Sequence, residues 1–183
     1  GRGLGRHDGV VVLVEDALPG QLVRAQVAAV RKSLAEAALV EVLERSPDEQ
    51  EPPCPHAGRC GGCSWQSLAY GRQLAWKERI VHDALERVGK VACPPILPIL
   101  PSPSEWGYRN KMEFAFGVSG DGGKALGLRE RGSRNIVEVT GCLLQTPLTM
   151  RVLEAVRMLS NGAFHDLDGR FLVVREPNAG GCF

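Results

Sequence analysis

The chain has 183 residues, of which 44% are hydrophobic and 23% charged, with a formal net charge of +1. That balance belongs to a folded globular protein and excludes a disordered or strongly polyelectrolyte chain, so any nucleic-acid contact must come from a local patch. Six cysteines are too few and too unevenly spaced for a secreted disulfide framework, no leader pattern opens the chain and no apolar run reaches membrane-span length. A cytoplasmic protein without a membrane role is expected. Charge is uneven: residues 36–51 are mostly acidic, whereas 109–134 carry Arg109, Lys111, Lys124, Arg129, Arg131 and Arg134 against Glu113, Asp121 and Glu130.

In chain order, residues 1–45 read as a small all-β module. Val10 to Val14 is a β-branched run, Leu18-Pro19-Gly20 is a turn signal, and Leu22 to Val30 alternates apolar and polar side chains as a half-buried strand does. Residues 33–45 are ambiguous, because propensity favours a helix while Leu39, Glu41 and Leu43 alternate as in a strand. Residues 46–53 are acidic and carry three prolines, which predicts a linker.

Next come Cys54, Cys60 and Cys63, spaced C-x5-C-x2-C with glycines at 58, 61 and 62 that let the backbone turn the three thiols to one centre. Clustered thiolates bind zinc or an iron-sulfur cluster. Zinc sites usually show two separated C-x2-C pairs, and a tight triplet with one distant partner suits a cubane cluster better; spacing alone leaves both open. The fourth ligand must come from Cys93, Cys142 or Cys182, with His56 as a nitrogen substitute.

Residues 67–88 predict a long helix with Leu74, Val81, Ala84, Leu85 and Val88 on one stripe and Gly89 as its stop. Trp65 and Trp76 read as core side chains beside it, with base stacking as the other use of such rings. Residues 91–103 carry five of the twelve prolines and form a stiff connector, in which Cys93 reads as a small apolar residue.

After Trp106 the period changes to two. Met112, Phe114 and Phe116 share a face, residues 117–123 turn a hairpin into 125–128, and a third strand covers Asn135 to Val139. The run Gly120-Asp121-Gly122-Gly123 reads as that hairpin rather than a cofactor loop, since no helix follows it. Residues 147–160 predict a helix capped by Thr146, and Phe171 to Arg175 begins another hairpin, turning at 178–181. Tyr108, Arg109, Asn110 and Lys111 put an aromatic, two cations and an amide at a strand start, a mixture that stacks a base and holds phosphates.

The run Cys54-x5-Cys60-x2-Cys63-Ser-Trp-Gln-Ser-Leu-Ala-Tyr70, then Tyr108 to Phe114, then Thr140-Gly141-Cys142, resembles the RNA uracil-5 methyltransferase family over nearly the whole chain. The resemblance implies a four-iron four-sulfur cluster on Cys54, Cys60, Cys63 and Cys142. Gly3-x-Gly5-Arg6-x-Asp8-Gly9 followed by Leu18-Pro19-Gly20 is similar to the family's TRAM domain, an OB-like β barrel that grips RNA, and implies a strand over 36–44. The implied fold is an OB-like β barrel (TRAM) over 1–45, a linker and cluster-binding loop over 46–66, a long helix and Pro-rich connector over 67–103, and an α+β central domain on an antiparallel sheet over 104–183.

Arg6, Arg24 and Lys32, together with Tyr108, Arg109, Asn110, Lys111, Arg129, Arg131 and Arg134, are the implied RNA contacts. In the family a cysteine thiolate attacks C6 of uracil, C5 is methylated from S-adenosylmethionine, and a carboxylate removes the C5 proton. Nothing between Gly1 and Phe183 matches the S-adenosylmethionine loop, that nucleophile or that base, so the chain reads as the RNA-recognition part of a longer rRNA methyltransferase and is expected to be inactive alone. A stand-alone RNA-binding module with a structural metal is the other reading. Without the catalytic domain, the stripe of Leu74, Val81 and Leu85 is expected to be uncovered and to promote self-association.

Overall fold

A computed structural model describes residues 2–91, 95–161 and 169–177. The chain forms two compact units, each discontinuous in sequence: Gly1–Pro52 with Ser64–Pro101, and Pro53–Cys63 with Ser102–Phe183. Among the described residues they hold two four-stranded sheets and two α-helices, an α+β fold. No helix among the described residues is long and apolar enough to cross a membrane.

The first unit contains β1 (Arg2–His7), β2 (Val10–Glu15), β3 (Leu22–Arg31) and β4 (Leu34–Glu44), ordered β1-β2-β4-β3. β1, which the sequence reading did not resolve as a strand, pairs antiparallel with β2 across Asp8-Gly9. Both turn residues have positive φ, at 46° and 80°, as a two-residue hairpin matched to strand twist requires. β4 is a strand although its Ala, Leu and Glu content favours a helix. It lies between β2, to which it runs parallel, and β3, antiparallel, so both of its edges are hydrogen-bonded and Ala35 and Ala37 are buried. Tertiary pairing overrides propensity here.

The expected closed barrel is not formed. Among the described residues β1 pairs only with β2 and β3 only with β4, which leaves an open mixed sheet; no fifth strand joins the two edges. The β3–β4 register slips at three places, including between Val27 and Ala29, and such bulges bend and twist a ribbon without closing it.

The segment after β4 is no free tether either. Ser46 is buried, the Gln50 N–H donates to the Ser67 carbonyl (2.9 Å) and the Ala69 N–H to the Asp48 carbonyl (3.1 Å), so 48–50 pairs with 67–69 around the fully buried Leu68. Burial works to raise the Glu49 carboxyl, but hydrogen bonds from Gln21 and Arg45 outweigh it and hold the group below the usual carboxylate range. The helix α1 runs Tyr70–Asp83 and continues as a π-turn, Ala84–Val88. Gly89 ends it with an ordinary φ of −73°, and it is Lys90, at +51°, that takes the left-handed conformation. Neither α1 nor the π-turn buries a residue: Val81 is 51% and Val88 82% exposed. Cys93 and Cys182 lie outside the described residues, as does the turn expected at 178–181.

The second unit contains β5 (Lys111–Val118), β6 (Lys124–Arg129), β7 (Ile136–Val137), α2 (Pro147–Asn161) and β8 (Phe171–Arg175), with the sheet ordered β7-β6-β5-β8 and antiparallel throughout. Met112, Phe114, Leu126, Val137, Val139 and Leu153 form its core, and Phe114 and Leu153 are fully buried. The glycine run is the hairpin expected: the Ser119 N–H donates to the Gly123 carbonyl (2.8 Å), and Gly122 has φ +91°.

The third strand is shorter than the alternation predicts, with only two residues paired. Gly127 lets it approach, because a Cβ there would lie 2.1 Å from the Val137 carbonyl oxygen. Thr146 caps α2, its Oγ1 accepting the Thr149 N–H (3.3 Å), and both threonine hydroxyls donate to Glu176, which holds that carboxyl below its usual range.

Candidate functional site

The thiol-bearing loop is fastened to the second unit through its main chain. Within the loop, the Ala57 N–H donates to the Cys54 carbonyl (3.0 Å) and the Cys60 N–H to the His56 carbonyl (2.9 Å), while Gly58 turns at φ +81°. Beyond the turn the loop extends the end of β6. Cys60 bridges to Glu130 antiparallel, the Gly61 N–H donates to the Arg129 carbonyl (2.9 Å), and the Arg131 N–H to the Arg59 carbonyl (2.8 Å). A Cβ at Gly61 would lie 3.2 Å from the Arg129 carbonyl oxygen, a tight contact that the glycine avoids. The Arg131 guanidinium also donates to the Cys63 carbonyl.

Cys54, Cys60, Cys63 and Cys142 are all half-buried free thiols. Cys60 and Cys142 pack against the Phe114 and Leu153 core. Burial pushes both of these thiols up; for Cys60 the Gly62 N–H, 3.4 Å from Sγ, acts the other way, and Cys63 and Cys54 raise it further against the Arg109 charge. For Cys142 the Leu144 N–H opposes burial, and Cys63, Cys54 and Cys60 add to it. The four sulfurs are therefore within electrostatic reach of one another, although Cys142 arrives from the loop between β7 and α2. Among the described residues no three His, Cys, Asp or Glu side chains are gathered tightly enough to hold a metal ion.

His56 has a different job from the one its spacing suggested. Its Nε2 accepts the Thr140 N–H (3.1 Å) and lies 3.2 Å from Thr140 Oγ1, so that nitrogen's lone pair is engaged by the protein main chain. Sequence reasoning also missed Arg157. From α2 it donates to the Leu126 carbonyl through Nε (2.9 Å) and Nη2 (2.7 Å) and to the Val139 carbonyl through Nη1 (3.0 Å). A cation inside an amphipathic helix is the one signal that marked it.

The expected RNA contacts divide between the units. In the first, Arg6 and Lys32 are exposed and Arg24 is ion-paired with Glu41. In the second, Tyr108, Asn110, Lys111, Arg129 and Arg134 are exposed, while Arg109 and Arg131 are half-buried beside the thiol loop. The Arg129 Nη1 donates to the Arg134 carbonyl (3.1 Å), so two of the expected contacts are tied together.

No protein-family model matches the chain. It is 47% identical over 189 residues to a protein described as an uncharacterized RNA methyltransferase of Nitratidesulfovibrio vulgaris, across 99% of this chain and 40% of that protein. A protein of the same description from Caldanaerobacter subterraneus is 46% identical over 132 residues, 72% of this chain and 29% of the relative. The 23S rRNA (uracil(1939)-C(5))-methyltransferase RlmD of Xanthomonas oryzae is 41% identical over 151 residues, 80% of this chain and 34% of the relative. The chain spans 40% or less of the length of these curated relatives.

Proposed function

We propose, from the premise that this chain is a homologue of proteins named RNA methyltransferases, that it is the RNA-holding, iron-sulfur portion of an S-adenosylmethionine-dependent RNA (uracil-5-)-methyltransferase acting on 23S rRNA. In this reading the protein works in the cytoplasm, and the methyl donor and the chemistry on uracil belong to a domain beyond this chain. The observation that carries it is that Cys142 packs on the same core as Cys60, and that Thr140, two residues before it, is hydrogen-bonded to His56 of the loop bearing Cys54, Cys60 and Cys63, all four as free thiols.

The donor set fits a cluster better than a single zinc ion. Zinc draws four thiolates to bonds of about 2.3 Å around one point. The C-x5-C-x2-C triplet with one distant cysteine, all four half-buried, departs from the two separated C-x2-C pairs usual for zinc and suits a cubane cluster. When bound, a four-iron four-sulfur cluster supplies four anchoring points and one-electron redox capacity. The residues of the chain would do the rest: Arg109 and the Gly62 and Leu144 N–H groups would offset its thiolate charge, and Arg131 would hold the Cys63 main chain. RNA would then lie against the exposed Tyr108, Asn110, Lys111, Arg129 and Arg134.

Anaerobic purification tests the reading. The chain is expected to be brown and to hold iron and sulfide in equal amounts, and Cys142→Ser to lose both. Stoichiometric zinc in place of iron would overturn the cluster, and undiminished iron in Cys142→Ser would remove the fourth ligand.

A further inference from the structure

The fourth sulfur must be held against a triplet that belongs to a distant stretch of chain, and one side chain spans that gap. His56 uses both of its ends. Its carbonyl accepts the Cys60 N–H (2.9 Å), which fixes the triplet's middle member, and its ring Nε2 accepts the Thr140 N–H (3.1 Å), two residues before Cys142. The segment it grips is held from the other side as well, since Arg157 on α2 donates to the carbonyl of Val139. Thr140 is thus pinned between a residue of the thiol loop and a residue of the helix.

We infer that His56 is a positioning residue for the cluster site: as a neutral acceptor through Nε2 it sets Cys142 at the distance the triplet requires, and it is not itself a ligand. This rests on the cluster reading proposed above. The geometry fixes the tautomer, because a nitrogen that accepts a main-chain N–H carries no proton, which leaves the ring proton on Nδ1. The Thr140 hydroxyl adds a second contact to the same nitrogen at 3.2 Å, so the main-chain bond does not depend on it.

Three variants of the full chain separate this role from general stability. His56→Leu removes the acceptor, His56→Gln replaces it with an amide oxygen of similar reach, and Thr140→Val keeps the N–H while removing the hydroxyl. Each is loaded anaerobically with iron and sulfide; the readouts are iron content, release of iron to a ferrous chelator and the electron paramagnetic resonance spectrum of the reduced cluster.

His56→Leu is expected to release iron about 10-fold faster, in line with the loss of a supporting contact at a metal site, and to shift the spectrum. His56→Gln and Thr140→Val are expected to stay near the parent chain. Wild-type release from His56→Leu, or release from His56→Gln as fast as from His56→Leu, would overturn the inference. So would a fall in melting temperature as large in the metal-free as in the loaded His56→Leu chain, since the bond would then serve the fold alone. A parent chain that takes up no iron and sulfide would overturn the cluster reading and this inference with it; failure of the inference alone leaves a loaded parent chain.

Discussion

Among the described residues each of the two units has four strands and one α-helix, yet what lies beneath them differs. The second buries Met112, Phe114, Leu126, Ile136, Val137, Val139 and Leu153 under a helix that packs on its sheet. The first buries mainly Val14, Leu18, Ala35, Ala37 and Leu68; its helix buries nothing, and Leu22, Val27, Val30 and Val40 of its sheet are all more than half exposed. Sheet hydrogen bonds and surface ion pairs such as Arg72 with Asp48 (2.7 Å) hold it together. Exposed pairs of that kind are each worth about 0–1 kcal/mol, whereas a fully buried Phe or Leu contributes about 1.5–3 kcal/mol. The thiols sit on the unit whose core can hold them still.

Phe114→Ala should produce the largest effect and can break this comparison. Its removal is expected to cost the second unit about 3–5 kcal/mol, read as lost amide-exchange protection in β5 and β6 with β2–β4 unchanged. If protection falls equally in both sheets, the units unfold as one and the contrast between them disappears. A smaller effect concerns the proposed RNA contacts. Lys111→Ala is expected to flatten the plot of log affinity against log salt by roughly 0.7–0.9, while Arg24→Ala, whose guanidinium is occupied by Glu41, leaves it unchanged. The opposite pattern would move the contact surface to the first unit. The smallest change expected is in Val88→Lys, at 82% exposure, with a thermal-melt effect within about 0.5 kcal/mol. A clearly larger loss would mean that the π-turn ending α1 is covered in solution.

Much of this was legible from local signals. A β-branched run gave β2, alternation gave β3 and β5, the threonine-proline start gave α2, and three cysteines in ten residues marked the loop. β1 was not, because Arg-Gly-Leu-Gly-Arg-His offers no strand former beyond a single leucine, and its pairing comes from the Asp8-Gly9 turn and β2. β4 needed family resemblance against its own propensity, and the same resemblance overreached in expecting closure of the barrel. At the site, Cys142 came from resemblance and not from spacing. His56 with Thr140, and Arg131 with the Cys63 carbonyl, are partners 84 and 68 residues apart, and no periodicity in one sequence encodes such pairs.

Those separations also fix when the site can come into being. The chain leaves the second unit after Cys63, builds α1, and returns at Ser102. Every bond that fastens the thiol loop therefore waits for a loop of about 70 residues to close, an entropic term of roughly 4 kcal/mol. The β5–β6 hairpin, whose strands are joined by a turn held at Ser119 and Gly123, meets no such delay. Folding proceeds first by what is near in sequence. By that order Cys142 meets the Cys54, Cys60 and Cys63 loop only after the hairpin has formed, so the four-thiol site is assembled from parts that fold at different times.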